Sequence, residues 1–354
     1  MPTICILPRV ERVGGVAGFR LKFEAGLRAR GLQVTYDPVA PCDAALILAG
    51  TSRLAELYQL RRRGVRLVQR LDGINWIQRV RWSGLVYHLR AEYGNLLLRW
   101  IRARLADRIV YQSQFVRRWW ETWYGAVRAP ATVILNGVDL RAFSPEGPHD
   151  RPDDRLRILL LEGNLGGPWS VGLLHAAALG LALAERRRVE LMVAGVADRA
   201  TQQALYRFLS RQGHSVTVQD HQFCLHPIPL AIRFAGVISR DRIPYLARSA
   251  HLLYSADVNS ACPNAVIEAL ACGLPVVAFD SGALRELVGQ EGGILVPYGG
   301  DPWQLDWPNI PALARAADSL LDDLPRFQQG ARARAEALLG LDRMVDAYLE
   351  VLLG

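Results

Sequence analysis

One segment has the residue types and spacing to hold a diphosphate: Asp257-Val-Asn-Ser-Ala-Cys-Pro-Asn-Ala-Val-Ile-Glu268, running on through Ala-Leu-Ala-Cys-Gly-Leu-Pro to Val276. An apolar strand is expected to end at Tyr254. A polar loop follows, and Pro263-Asn264 opens a short helix that Gly273 closes. The amides around Asn264, Ala265 and Val266 then precede the first intrahelical bond, where the helix dipole favours an anion. One turn on, Glu268 can accept hydrogen bonds from the paired hydroxyls of a ribose. The alternative is a glutamate that only complements the helix dipole.

Other positions are less specific. Gly14-Gly15 precede a helical pattern from about Phe19, so their amides suit a phosphate or acceptor loop. The spacing is not that of a dinucleotide fingerprint, and a loop without chemistry fits equally well. Asp72, at the end of a strand in Arg70-Leu-Asp-Gly, is either a carboxylate for an acceptor hydroxyl or a turn-forming Asp-Gly. Ser113 reads as a helix N-cap, or with Gln114 as an acceptor contact. His175, among apolar residues in mid-helix, reads as a core histidine.

The elements that must position these groups alternate between short apolar runs and amphipathic stretches, the pattern of parallel sheets wrapped by helices. Strands are predicted at Thr3–Leu7, Leu32–Tyr36, Ala44–Leu48, Arg66–Arg70, Arg108–Tyr111 and Thr132–Leu135. A second set lies at Arg157–Leu161, Glu190–Ala194, Ser215–Val218, His251–Tyr254, Pro275–Phe279 and Gly293–Val296. A long helix over about 85–106 places Leu85, Leu89, Leu96 and Trp100 at helical spacing, with arginines on its other faces. The Pro/Gly-rich stretch 144–152 reads as a linker. Three parts are expected: a domain over 1–150, a second over 151–335, and a helix over 336–354 packing back on the first. Ligands in such folds sit at the carboxyl ends of the strands.

The chain has 354 residues, 51% hydrophobic and 21% charged, which suits two medium domains. Lys22 is the only lysine, so any role needing a lysine outside the first β-α unit is excluded. Five scattered cysteines indicate neither a disulfide framework nor a zinc site, and no metal site is expected. They suit a reducing compartment. No signal peptide or spanning helix is expected, so the protein is expected in the cytoplasm. Residues 1–150 hold 23 Lys+Arg against 12 Asp+Glu, a net of +11. Six tryptophans (Trp76, Trp82, Trp100, Trp119, Trp120 and Trp123) lie among these arginines. The mixture suits either a peripheral contact with the inner membrane face or a core of tryptophans under solvated charges. No nucleic-acid motif accompanies it.

The sequence resembles a known family in three places. Asn136-Gly-Val-Asp-Leu-Arg-Ala-Phe-Ser-Pro145 is similar to a stretch before the domain linker of family-four retaining glycosyltransferases. Glu268 to Val277 resembles the second half of their E-x7-E region, and Gly282-x-x-x-Glu286 with Leu295-Val-Pro297 follows in order. The resemblance implies a GT-B fold, with two Rossmann-like α/β domains facing across a cleft and a helical C-terminal tail. It also implies transfer of a sugar from a nucleotide-diphosphate sugar, base unknown, to a glycan or lipid-linked acceptor, with retention and without metal or other cofactor. By the same resemblance Glu268 holds the donor ribose, Asn264 and Ala265 the diphosphate, and Gly14 and Gly15 border the donor phosphate and the acceptor.

Two departures stand out. The first acidic member of the E-x7-E pair is replaced by Ser260, which can touch a sugar hydroxyl but brings no charge. The basic pair expected after the first strand of the second domain is missing from Glu162-Gly-Asn-Leu-Gly-Gly-Pro-Trp-Ser170. The cation must then come from elsewhere, Arg240, Arg242 and Arg20 being the candidates. A catalytically silent GT-B module that binds a nucleotide sugar or a partner protein is the alternative, and a GT-B epimerase or hydrolase a third.

Overall fold

The structure is a computed structural model that describes residues 1–10, 14–82, 84–219 and 222–354. It forms two compact units, Met1–Asp139 with Leu338–Gly354, and Leu140–Ala337.

The first unit contains β1 (Thr3–Leu7), α1 (Gly15–Ala29), β2 (Gln33–Thr35), β3 (Ala44–Leu48), α2 (Leu54–Arg62) and β4 (Arg66–Leu71). After these come α3 (Leu85–Arg104), β5 (Arg108–Tyr111), α4 (Gln114–Tyr124) and β6 (Ala131–Val133). All strand pairs are parallel, in the order β2-β1-β3-β4-β5-β6. β3 is buried along its whole length, as a parallel strand covered on both faces must be. Phe19, Phe23 and Leu27 of α1 pack on one face of the sheet. The C-terminal helix completes that layer, its Tyr348 ring lying 5.2 Å from both phenylalanine rings.

The Asn136-Gly-Val-Asp stretch secures this helix. Val138 bridges Gly340, and a Cβ at Gly137 would come within 2.8 Å of the Leu341 Cα, so only glycine allows the approach. Asn136 accepts from the buried Arg70 at 2.9 Å, and Lys22 donates to the Gly137 carbonyl at 2.7 Å.

The second unit runs through β7 (Leu156–Asn164), α5 (Val171–Ala184), β8 (Val189–Val196), α6 (Arg199–Arg211), β9 (Ser215–Gln219), β10 (Gln222–His226) and β11 (Leu230–Gly236). It continues with α7 (Ile243–Arg248), β12 (Leu252–Tyr254), α8 (Asn264–Ala271), β13 (Val276–Phe279), α9 (Leu284–Val288) and β14 (Gly293–Val296). The helical end is α10 (Ile310–Asp322), α11 (Leu324–Leu338) and, in the first unit, α12 (Leu341–Leu353). The sheet order is β14-β13-β12-β7-β8-β11-β10-β9, parallel as far as β11 and antiparallel over the last two pairs.

Two features differ from the sequence reading. β10 and β11 were not expected; Pro227 and Pro229 flank them and Arg233 interrupts the apolar run of β11, which hides its period. In α3 the apolar stripe faces outward: Leu85, Leu89 and Leu96 are 57–59% exposed, while Ala91, Asn95, Leu98 and Ile101 form the buried side. A helix of 20 residues is about 30 Å long, whereas β4 and β5 have six and four residues. Its N-terminal half therefore overhangs the sheet and is held by a polar turn instead. Asn95 exchanges hydrogen bonds with Asn75 at 2.8–3.0 Å, and Glu92 accepts from Gln78 and Arg79 at 2.7–2.8 Å.

Candidate functional site

In the second unit β12 ends at Tyr254, and residues 255–263 loop over to α8. Three buried polar groups in this loop, Ser255 Oγ, Asn259 Nδ2 and Ser260 Oγ, have no hydrogen-bond partner among the described residues. A buried polar atom without a partner costs about 1–3 kcal/mol, and three within six residues are what a polar ligand would satisfy.

The loop is held in this form by its neighbours. Asn259 has a φ of 56°, its amide donates to Ser281 Oγ at 3.3 Å, and the Ser260 carbonyl accepts from the Ala283 amide at 2.9 Å. Gly282 has a φ of 62°, and a Cβ there would lie 2.4 Å from the Ser260 nitrogen. Replacing Gly282 with Ala is predicted to cost about 2 kcal/mol or more, readable in urea unfolding, because positive φ and overlap add.

Pro263 precedes α8 with extended geometry, and no side chain among the described residues caps the helix. The first i to i−4 bond is donated by Ile267 to Pro263 at 3.3 Å. The amides of residues 264–266 therefore precede the hydrogen-bonded ladder, and the positive end of the helix dipole lies with the unsatisfied loop groups. Glu268, 4% exposed, faces Arg240, whose Nη2 is 3.1 Å from Oε1. Arg240 opens the short turn Arg240–Arg242 before α7, and its guanidinium lies 5.8 Å from the centre of the Phe143 ring. Phe143 comes from the segment that resembled the stretch before the linker. Arg332 fixes that segment by donating to the carbonyls of Leu140, Phe143 and Ala271.

The structure thus brings Ser260, Asn264, Ala265, Glu268 and Arg240 together. Arg242 lies against the ring of Tyr245. Gly14, Gly15 and Asp72 belong to the first unit. Gly14 N-caps α1 with a φ of 151° and Gly15 begins the helix; residues 11–13 just before them lie outside the described residues. Asp72 directly follows β4, and burial raises its carboxyl above the usual range against the lowering effect of Arg70. Arg20 is engaged with Glu24 at 2.9 Å and with the Tyr36 hydroxyl at 2.6 Å. Ser113 caps α4 by accepting from the Val116 amide at 3.1 Å. His175 is buried, with the Trp307 ring 5.0 Å away.

Sequence reasoning missed two carboxylates. Glu162 lies near the carboxyl end of β7 and Asp257 just beyond the adjacent β12. Desolvation, with the charge of Asp257 added, holds Glu162 well above its ordinary range, and desolvation pushes Asp257 up to about 7. Their places at the ends of neighbouring strands were the available signal. The folded protein holds these protons more tightly than the unfolded chain does. The stability this brings is complete below the ordinary carboxylate range and is lost as pH rises through about 7. Asp257→Asn should flatten the fall in melting temperature between pH 5 and pH 8, measured by calorimetry.

Residues 158–323 match the family model described as Glycosyl transferases group 1, and residues 45–142 that of Glycosyltransferase Family 4. A D-inositol 3-phosphate glycosyltransferase of Kineococcus radiotolerans is 29% identical over 266 residues, 70% of this chain and 57% of that protein. The chain spans under two thirds of the length of the curated relatives it matches. A sucrose-phosphate synthase from Thermosynechococcus elongatus superposes with a TM-score of 0.73 at 16% identity, over 99% of this chain and 98% of that one. Anabaena Alr3699/HepE, solved with UDP and glucose, superposes at 0.68 and 17% identity over 99% of both chains.

Proposed function

We propose that this chain, a family-four-like glycosyltransferase of the GT-B fold, moves a sugar from a nucleotide-diphosphate sugar to an acceptor hydroxyl, with retention of configuration and without a metal. The observation that carries the reading is the buried loop of unpartnered polar groups leading into an uncapped helix start, with Glu268 one turn further on. The amides at residues 264–266 seat the diphosphate and Glu268 takes the ribose hydroxyls. Ser260 supplies a hydroxyl to the sugar in place of a charge.

Arg240 supplies the cation that Glu162-Gly-Asn164 lacks. In the unliganded protein it is paired with Glu268; when the ribose claims that carboxylate, the guanidinium can turn to the diphosphate. There it would stabilise the charge of the leaving group together with the helix start. Desolvation raises the carboxyls of Glu162 and Asp257, and this weakens the repulsion that the carboxyl ends of β7 and β12 would exert on that diphosphate. In the retaining mechanism that the family resemblance implies, the acceptor hydroxyl passes its proton to a donor phosphate oxygen, so no side-chain base is needed.

The first unit would serve the acceptor, with Gly14, Gly15 and Asp72 as candidates on that side. A glycan or lipid-linked glycan is the acceptor class, which places the reaction in glycan or glycolipid assembly. The basic first unit suits an acceptor held at the inner membrane face. UDP is the first probe for the donor, since the HepE likeness was solved with it.

The missing basic pair and Ser260 favour a second reading, a module that binds a nucleotide sugar without turnover. A thermal-shift panel of nucleoside diphosphates and their sugars, followed by assay for released diphosphate, separates the two. A shift with release supports the transferase, a shift without release the silent module, and no shift removes both.

A further inference from the structure

Among its described residues the first unit exposes an apolar face. Trp82 is 73% exposed and Val86 81%; Leu85, Leu89, Tyr93 and Leu96 are 56–59% exposed. At 100° per residue, the five helical positions fall within about 100° of one another, on the side of α3 opposite Ala91, Asn95 and Leu98. The helix therefore has two apolar sides, one packed on its own unit and one turned to solvent. A contiguous exposed apolar stripe of this kind marks an interaction surface.

We propose that this outer face of α3 lies on an anionic bilayer surface. Charge decides between occupants. Arg90 and Arg99, both exposed, border the stripe on opposite sides. Glu92, the acidic residue on its edge, is neutralised by Arg79 at 2.7 Å, an ion pair that holds its carboxyl down at about 2. A second copy of the chain would bring the same arginines against each other, and residues 1–150 have a net charge of +11. An anionic lipid surface offers the complementary sign, with an acyl boundary for the leucines and an interface for Trp82 and Tyr93. No helix among the described residues is long and apolar enough to cross a membrane, so α3 would lie in the interface plane.

The expected contact differs from one made by the tryptophans as a group. Trp76, Trp119 and Trp120 are at most 6% exposed and belong to the core, so the leucines of α3 provide most of the apolar area.

The test is flotation of the full chain with vesicles of phosphatidylglycerol and phosphatidylcholine, beside vesicles of phosphatidylcholine alone. The wild type should float with the anionic vesicles, much less with the neutral ones, and should be released by salt. The double variant Leu89→Glu, Leu96→Glu should lose binding by about 100-fold, the order expected for removing two leucines from an apolar phase. Arg90→Glu with Arg99→Glu should abolish the preference for anionic lipid. Unchanged melting curves and an unchanged nucleotide-induced shift would show that the variants are folded, and they separate this proposal from the donor-site reading. Equal flotation with neutral vesicles, wild-type flotation by the leucine variant, or no flotation at all would overturn it. So would light scattering that shows a wild-type dimer which the leucine variant dissolves, because the face would then belong to a second copy.

Discussion

Glu268→Ala is expected to remove the thermal stabilisation that UDP or a UDP-sugar gives the wild type. A ligand at about 100 times its dissociation constant adds about 2.7 kcal/mol to the wild type. A variant without the ribose acceptor should show little of that at the same concentration. Glu268 is buried and makes a charge-assisted hydrogen bond to Arg240, yet the Arg240 side chain is 42% exposed. The stranded guanidinium can therefore turn to water, and the unliganded variant should melt near the wild type. Glu268→Gln keeps the shape and loses the charge, and should show an intermediate shift. If the alanine variant melts normally and still responds to nucleotide as the wild type does, Glu268 does not hold the ribose.

Arg240→Ala should lower turnover about 10²–10³-fold, the loss seen when one preorganised electrostatic stabiliser is removed from a transition state. The fall should appear in kcat, with a smaller change in KM, because the departing diphosphate loses its cation while Glu268 still accepts from the ribose. Release of UDP from a UDP-sugar measures it. Arg240→Lys should recover part of the rate, since a point charge can replace some of what a guanidinium fork supplies. A variant with normal kcat and a raised KM would assign Arg240 to ground-state binding instead.

Much of the fold was legible because parallel strands buried on both faces are continuous apolar runs. Thr3–Leu7, Ala44–Leu48 and Arg108–Tyr111 can be read from sequence to the residue for that reason. β11 could not, since its arginine and flanking prolines break the run. The outward stripe of α3 was equally hidden. Periodicity shows which residues share a side of a helix, but only the short partner strands and the Asn75–Asn95 hydrogen bonds decide which side is covered.

At the candidate site, sequence pointed to α8 and Glu268 because a proline-led helix start and a buried-helix glutamate have local signatures. The ion pair with Arg240 bridges 28 positions, and the Glu162 and Asp257 carboxyls feel each other's charge only because β7 and β12 are neighbours in the sheet. Such pairings depend on strand order, which no spacing within one segment records. The Asn136-Gly-Val-Asp stretch illustrates the same point. Its motif is local, but its work in the first unit is to let a helix more than 200 residues later approach the backbone at Gly137.

The central claim is that the start of α8 seats a pyrophosphate while Glu268 holds the pentose. A crystal structure of the protein with UDP tests it most directly. Phosphate oxygens are expected within hydrogen-bond distance of the amides at residues 264–266, both ribose hydroxyls on Glu268, and Arg240 turned from that carboxylate toward the diphosphate. UDP bound elsewhere, or bound here with Arg240 still paired to Glu268 and the ribose beyond its reach, would contradict it.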